Sequence, residues 1–180
     1  MIRTRFTLRR FLFIATAALI APIAGAQSMN VEFNWNGVGT VPTASYAAAG
    51  LPGVWNNANV STNTIANLSL VNLSGGATAA ILNVPSFGGS CATSGPWIGN
   101  DESLMEDLIG SGSNPGVSSF SGLLAGNYAV TLYGMNATGN SNSTFTINNV
   151  TQNTGGAWSG SHVLGASYTV FSNVSVTGGN

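Results

Sequence analysis

The chain has 180 residues, 44% of them hydrophobic and only 5% charged, with a formal net charge of −1 at pH 7. All four basic residues, Arg3, Arg5, Arg9 and Arg10, lie in the first ten positions, so Lys and Arg are absent from residue 11 onward. Neutralising phosphates and attracting anionic lipid both require Lys or Arg, which argues against nucleic acid and anionic membranes as partners.

The basic start runs into an apolar stretch from Phe11 to Ile23 and then the triplet Ala24-Gly25-Ala26. A positive n-region, an apolar h-region and a small-residue cleavage site predict a signal peptide over 1–26, cut after Ala26. The apolar stretch is shorter than the roughly 20 residues of a spanning helix. Arg9-Arg10 before Phe-Leu leaves general and twin-arginine export both open. The expected product is a secreted or cell-surface chain over 27–180, the size of a single domain, with no linker or repeat dividing it. Its acids are Glu32, Asp101, Glu102, Glu106 and Asp107, and His162 is the one side chain there that can form an ion pair.

Met29 to Trp35 alternates Val31, Phe33 and Trp35 with Asn30, Glu32 and Asn34, a strand with one apolar face. A Gly/Pro-rich passage from Gly37 to Gly53 then breaks any long element and carries Trp55 in its tail. Leu68, Leu70 and Leu73, the Gly75-Gly76 turn and the run Ala77 to Val84 predict a hairpin. Pro85 to Gly99 reads as a loop holding Cys91 and Trp97. As the single cysteine, Cys91 cannot form an intrachain disulfide, and without a Cys/His cluster a zinc site is excluded on ligand count. It is expected to be a small buried residue, the alternative being a reactive or intermolecular thiol.

Asn100 to Ile109 is the one predicted helix, with Asn100 as N-cap and Ser103-x-x-Glu106 as an alternative capping box. Leu104, Met105, Leu108 and Ile109 fall on one side, and Gly110 supplies a stop. Phe120 to Gly134 is the predicted central strand, with a turn at Ala125-Gly126-Asn127 and then Tyr128, Val130 and Leu132 alternating with Ala129, Thr131 and Tyr133. Strands over Ser143 to Val150 and Ser167 to Thr177 flank a turn-rich insert, Gly155 to Gly160, that holds Trp158. Short strands, frequent turns and one helix define the expected fold class: all-β, an antiparallel β-sandwich or jelly roll.

The order of four stretches resembles a family of exported bacterial β-sandwich proteins associated with PEP-CTERM-type sorting signals. They are Ala48 to Asn57 (AAGLPGVWNN), Leu70 to Gly75 (LVNLSG), Gly99 to Asp107 (GNDESLMED) and Phe120 to Gly134, together covering most of residues 30 to 135. The resemblance implies a galactose-binding-like jelly roll of largely uncharacterised activity and brings no catalytic residues. Related chains continue with further strands, whereas this one stops at Gly178-Gly179-Asn180. A truncated gene, a fragment, or a sheet edge that pairs with a partner would each account for that end.

Trp55, Trp97 and Trp158 sit beside Gly and near Asn or Ser, a context in which a ring face can stack on a sugar while amides and hydroxyls bond to it. The competing reading is core packing, because large aromatics bury the most area. With Asn100 they form the candidate ligand-binding set. Asp101 and Glu102, with Asn100 and loop carbonyls, are a weak calcium candidate against a solvated helix start, and no other cofactor is expected. Glu102 and Glu106 lie one turn apart on one face, not across a cleft, which disfavours glycoside hydrolysis. Gly-x-Ser-x-Gly is absent near His162, and no catalytic residue is assigned. The leading function is a non-catalytic module binding neutral glycan or another extracellular polymer. The alternative is a structural or adhesin-like protein that self-associates through sheet edges.

Overall fold

The computed structural model describes residues 27–35, 39–60, 64–86, 89–92, 95–110, 117–134 and 142–177. The expected signal peptide and residues 135–141 and 178–180 lie outside them, as do the side chains of Cys91, Leu108 and Ile109. The chain is an all-β, sandwich-like fold of eleven described strands with one short helix.

Strand β1 (Asn30–Asn34) pairs in parallel with β2 (Trp55–Asn59), across the long Gly/Pro-rich connection. Every other described pair is antiparallel. Strands β3 (Ile65–Val71) and β4 (Ala77–Ser86) form the predicted hairpin. Its turn is held by Asn72, whose Oδ1 accepts from the backbone N–H groups of Ser74 (3.0 Å) and Gly76 (2.9 Å). On its other side β4 pairs with β7 (Val117–Ser121), and the register shifts around Pro85, which has no N–H to give to the ladder. Strands β5 (Gly89–Ala92) and β6 (Asp107–Gly110), β8 (Gly126–Tyr133) and β11 (Tyr168–Val176), and β9 (Ser143–Ile147) and β10 (Val150–Thr154) complete the pairs.

Three expectations change. The helix α1 spans Asn100–Met105 and does not reach Ile109, because Asp107–Gly110 leaves it to pair with β5, a strand inside the stretch read as loop. Trp55 begins a strand and does not sit in a loop. The central strand is two: β7 ends at Ser121 in one sheet, and β8 begins at Gly126 in another. Gly122 makes that corner possible, with φ of 68° and a position where an added Cβ would stand 2.0 Å from the Ala79 carbonyl oxygen.

Two apolar clusters hold the strands together. Ala58, Val60, Leu70, Ala80, Leu82 and Val84 are almost completely buried, and Val31, Phe33 and Trp35 of the β1 region pack on them. The opposite side of β2 sends Trp55 into a second cluster with Trp97, Leu104 and Met105, joined by Tyr46, Tyr133 and Trp158. The polar face of β1 is covered as well. Because α1 stops early, β6 packs across β1 and leaves Glu32 only 2% exposed and Asn34 fully buried.

Candidate functional site

Three features meet around α1. The first is a groove. Gly99, with φ of 62°, turns the chain into the helix, and no side chain caps it. Asn100 Oδ1 instead accepts from the Thr43 N–H at 2.8 Å, and the Ser103 hydroxyl bonds to Thr40 Oγ1 at 3.0 Å and donates to the Gly99 carbonyl at 3.2 Å. Neither the Asn100 cap nor the Ser103–Glu106 box therefore forms, since both partners hold the 40–43 segment or the preceding turn. Between that segment and the helix lies an open groove of about 690 Å³ lined by Thr40, Thr43, Asn100, Glu102, Ser103 and Glu106.

The second feature is built on His162, whose side chain is 8% exposed. Its Nε2 lies 2.8 Å from the Tyr46 hydroxyl and 3.3 Å from Asp101 Oδ1. Tyr46 donates its own proton to Asp101. The Tyr46 oxygen is then left to accept from Nε2–H, so Nδ1 takes the lone-pair role toward the Ser167 hydroxyl at 3.3 Å. Tyr133 and Trp158 both meet the imidazole edge-on, with ring centroids 5.2 Å away. Burial lowers the His162 pKa, and Asp101 opposes that shift. Burial and then the hydrogen bond to Asp101 raise that of Tyr46, and burial raises that of Tyr133. A serine–histidine–acid chain thus exists, but its hydroxyl is no nucleophile in this arrangement. Ser167 is 1% exposed and accepts from the Val163 N–H at 2.9 Å, closing its own turn out of reach of a substrate.

The third feature is a buried acidic cradle. Glu32 is pushed up to about 8, first by burial and then by the charges of Asp107 and Glu106. Asp107 and Glu106 are raised too, again chiefly by burial. One oxygen of Asp107 accepts from the Trp35 N–H. Asp107 Oδ2, both oxygens of Glu32 and Asn34 Oδ1 are buried without a hydrogen-bond partner. Among the described residues, no group of three or more His, Cys, Asp or Glu side chains could hold a metal ion.

Of the residues expected to bind ligand, the three tryptophans gather in or against the second cluster, and Asn100 alone lines the groove. Trp97 is 3% and Trp55 8% exposed, and both ring systems belong to the second cluster because of the area they bury there. Trp158 is half-buried against His162. Asn100 lines the groove, and so does Glu102, whereas Asp101 Oδ1 accepts from the Tyr46 hydroxyl and lies 3.3 Å from His162 Nε2. Tyr46, Glu32, Asn34 and the site role of Asp107 were not legible in the sequence. Asp101 and His162 are 61 positions apart, and no local spacing connects them.

Fold and site together define an all-β, sandwich-like protein with a polar groove and a part-buried histidine–tyrosine–aspartate cluster on the two sides of one short helix. No family model matches the chain, and no curated protein or solved structure is detectably similar to it.

Proposed function

We propose that the protein is an exported, non-catalytic module that binds neutral carbohydrate, or a similarly hydroxyl-rich extracellular polymer, in the groove over α1. The observation that carries this reading is the groove's lining. Its hydroxyls, one amide and two carboxylates can accept from and donate to sugar hydroxyls, and no Lys or Arg beyond residue 10 would select a charged ligand. Trp158, half-buried against His162, does not line the groove and is not part of this reading. Two features favour a non-catalytic role: the buried Ser167 hydroxyl, and the origin of Glu102 and Glu106 in one stretch of chain on one wall of the groove. Membership of the exported β-sandwich family with a galactose-binding-like jelly roll belongs to the same proposal.

The test is binding of the purified protein to a neutral-glycan array with Trp fluorescence as a second readout. Saturable binding that is lost in Asn100→Ala, with circular dichroism unchanged, is the expected result. Absence of binding by the folded protein overturns it, and release of reducing sugar from a bound glycan overturns the non-catalytic part. One observation favours the structural alternative: β7 is an outer strand of its sheet, with Val117 59% and Phe120 39% exposed. Concentration-dependent self-association abolished by Phe120→Lys would move the assignment there.

A further inference from the structure

Cleavage after Ala26, which belongs to the exported reading proposed above, makes Gln27 the first residue of the mature chain. Resting on that cleavage, we propose that Gln27 is a modification site. Its freed α-amine closes on its own side-chain amide, giving an N-terminal pyroglutamate and a mature protein without a primary amine.

The reaction balances within one residue. The unprotonated α-nitrogen adds to Cδ of the Gln27 amide, and the carbonyl electron pair moves onto Oε1. The intermediate then collapses with loss of Nε2 as ammonia, which carries away the proton that the α-nitrogen gives up. One N–Cδ bond forms, the Cδ–Nε2 bond breaks, and nothing is oxidised or reduced. An N-terminal amine has an ordinary pKa of about 7.7–8.0, so an appreciable part of it is unprotonated and nucleophilic near neutral pH. Closing a five-membered ring also brings nucleophile and carbonyl together without a second molecule.

The fold presents Gln27 for this step. Gln27 is part-exposed and Ser28 exposed, and the Ser28 carbonyl accepts from the Leu73 N–H at 3.1 Å, so the chain is anchored one residue further on, before β1 begins. Gln27 Oε1 accepts from the Leu124 N–H at 3.1 Å in an exposed bond. That donor lies on the oxygen that gains negative charge as the amine adds, the arrangement by which backbone N–H groups stabilise tetrahedral intermediates. Gln27 and Ser28 also line an open hollow of about 420 Å³ beside the β3–β4 turn, which leaves the departing ammonia a way out. Residues 11–180 hold no Lys, so the amine of Gln27 is the only primary amine the mature chain would have, and ring closure removes it.

The full-length gene is expressed in an exporting bacterial host, and the exported protein is analysed by intact mass, by its N-terminal peptide and by labelling with an amine-reactive dye in urea. The expected result is a chain that begins at residue 27, is lighter by one ammonia than its residues require, resists stepwise N-terminal degradation and takes up no dye. Gln27→Ala should instead take up one dye per chain, and a variant that stays blocked would overturn the assignment to Gln27. A wild-type chain that begins at Gln27 with a free, labelled amine overturns the modification and leaves the cleavage standing. A chain that keeps residues 1–26, or begins elsewhere, overturns the cleavage and the modification with it. In protein isolated before the reaction is complete, the remaining amine should be lost about tenfold faster in the folded state than in urea at the same pH; equal rates would overturn the part assigned to the Leu124 N–H. None of these readouts depends on glycan binding.

Discussion

Replacing Glu32 by Gln should stabilise this protein at alkaline pH and leave it unchanged in mild acid. The folded state holds the Glu32 proton far more tightly than an unfolded chain does, moving its pKa from an ordinary 4.5 to about 8. Between those values the folded form binds more protons than the unfolded one, so unfolding free energy falls as pH rises. The contribution is fully present below the lower value and lost on passing through the upper one. At 1.36 kcal/mol per pH unit the whole displacement corresponds to a ceiling of roughly 5 kcal/mol. Gln is close in shape to the protonated acid, so the variant should match the wild type near about pH 4 and exceed it by several kcal/mol near about pH 9. Asp107 and Glu106, raised in the same direction, leave the variant a smaller residual slope. Urea unfolding across that range measures the difference directly. Parallel curves for the two proteins would refute the reasoning, because they would mean that Glu32 meets no cost when ionised.

His162 should act with the opposite sign. Its pKa is lowered on folding, so the unfolded chain binds the proton first, and stability should decline as pH falls below the ordinary value of 6.5. Subtracting the urea-unfolding profile of His162→Gln isolates that decline. Leu82→Ala removes a fully buried side chain from the first cluster and should cost about 2–5 kcal/mol by denaturant titration. Asn56→Ala cuts three hydrogen bonds to the backbone of Asn30 and Val71, 2.8–2.9 Å long, and with partners left unsatisfied should cost about 2–4 kcal/mol. Gly122→Ala combines a positive φ with a collision against Ala79, and should lower the unfolding midpoint by an amount equivalent to about 2 kcal/mol or more.

Period-two alternation in Val31-Phe33-Trp35, the Gly75-Gly76 turn and the helix start at Asn100 were all legible, because each is set by neighbours a few positions away. The absence of Lys and Arg after residue 10 left His162 as the one side chain that could pair with a carboxylate, but that it does so with Asp101 was decided by the fold. The tertiary structure decided which polar face would be covered. Nothing local distinguishes Glu32 from a solvated strand residue, and only the crossing of β6 over β1 buries it. Pairing with β5 likewise outweighed helical periodicity at Asp107–Gly110, and burial took Trp55 and Trp97 out of the candidate binding set. Sequence pattern determined the all-β class because strand and turn chemistry is local. The groove, the histidine cluster and the cradle depend on contacts between residues such as Tyr46 and His162, 116 positions apart, and those exist only once the strands have packed.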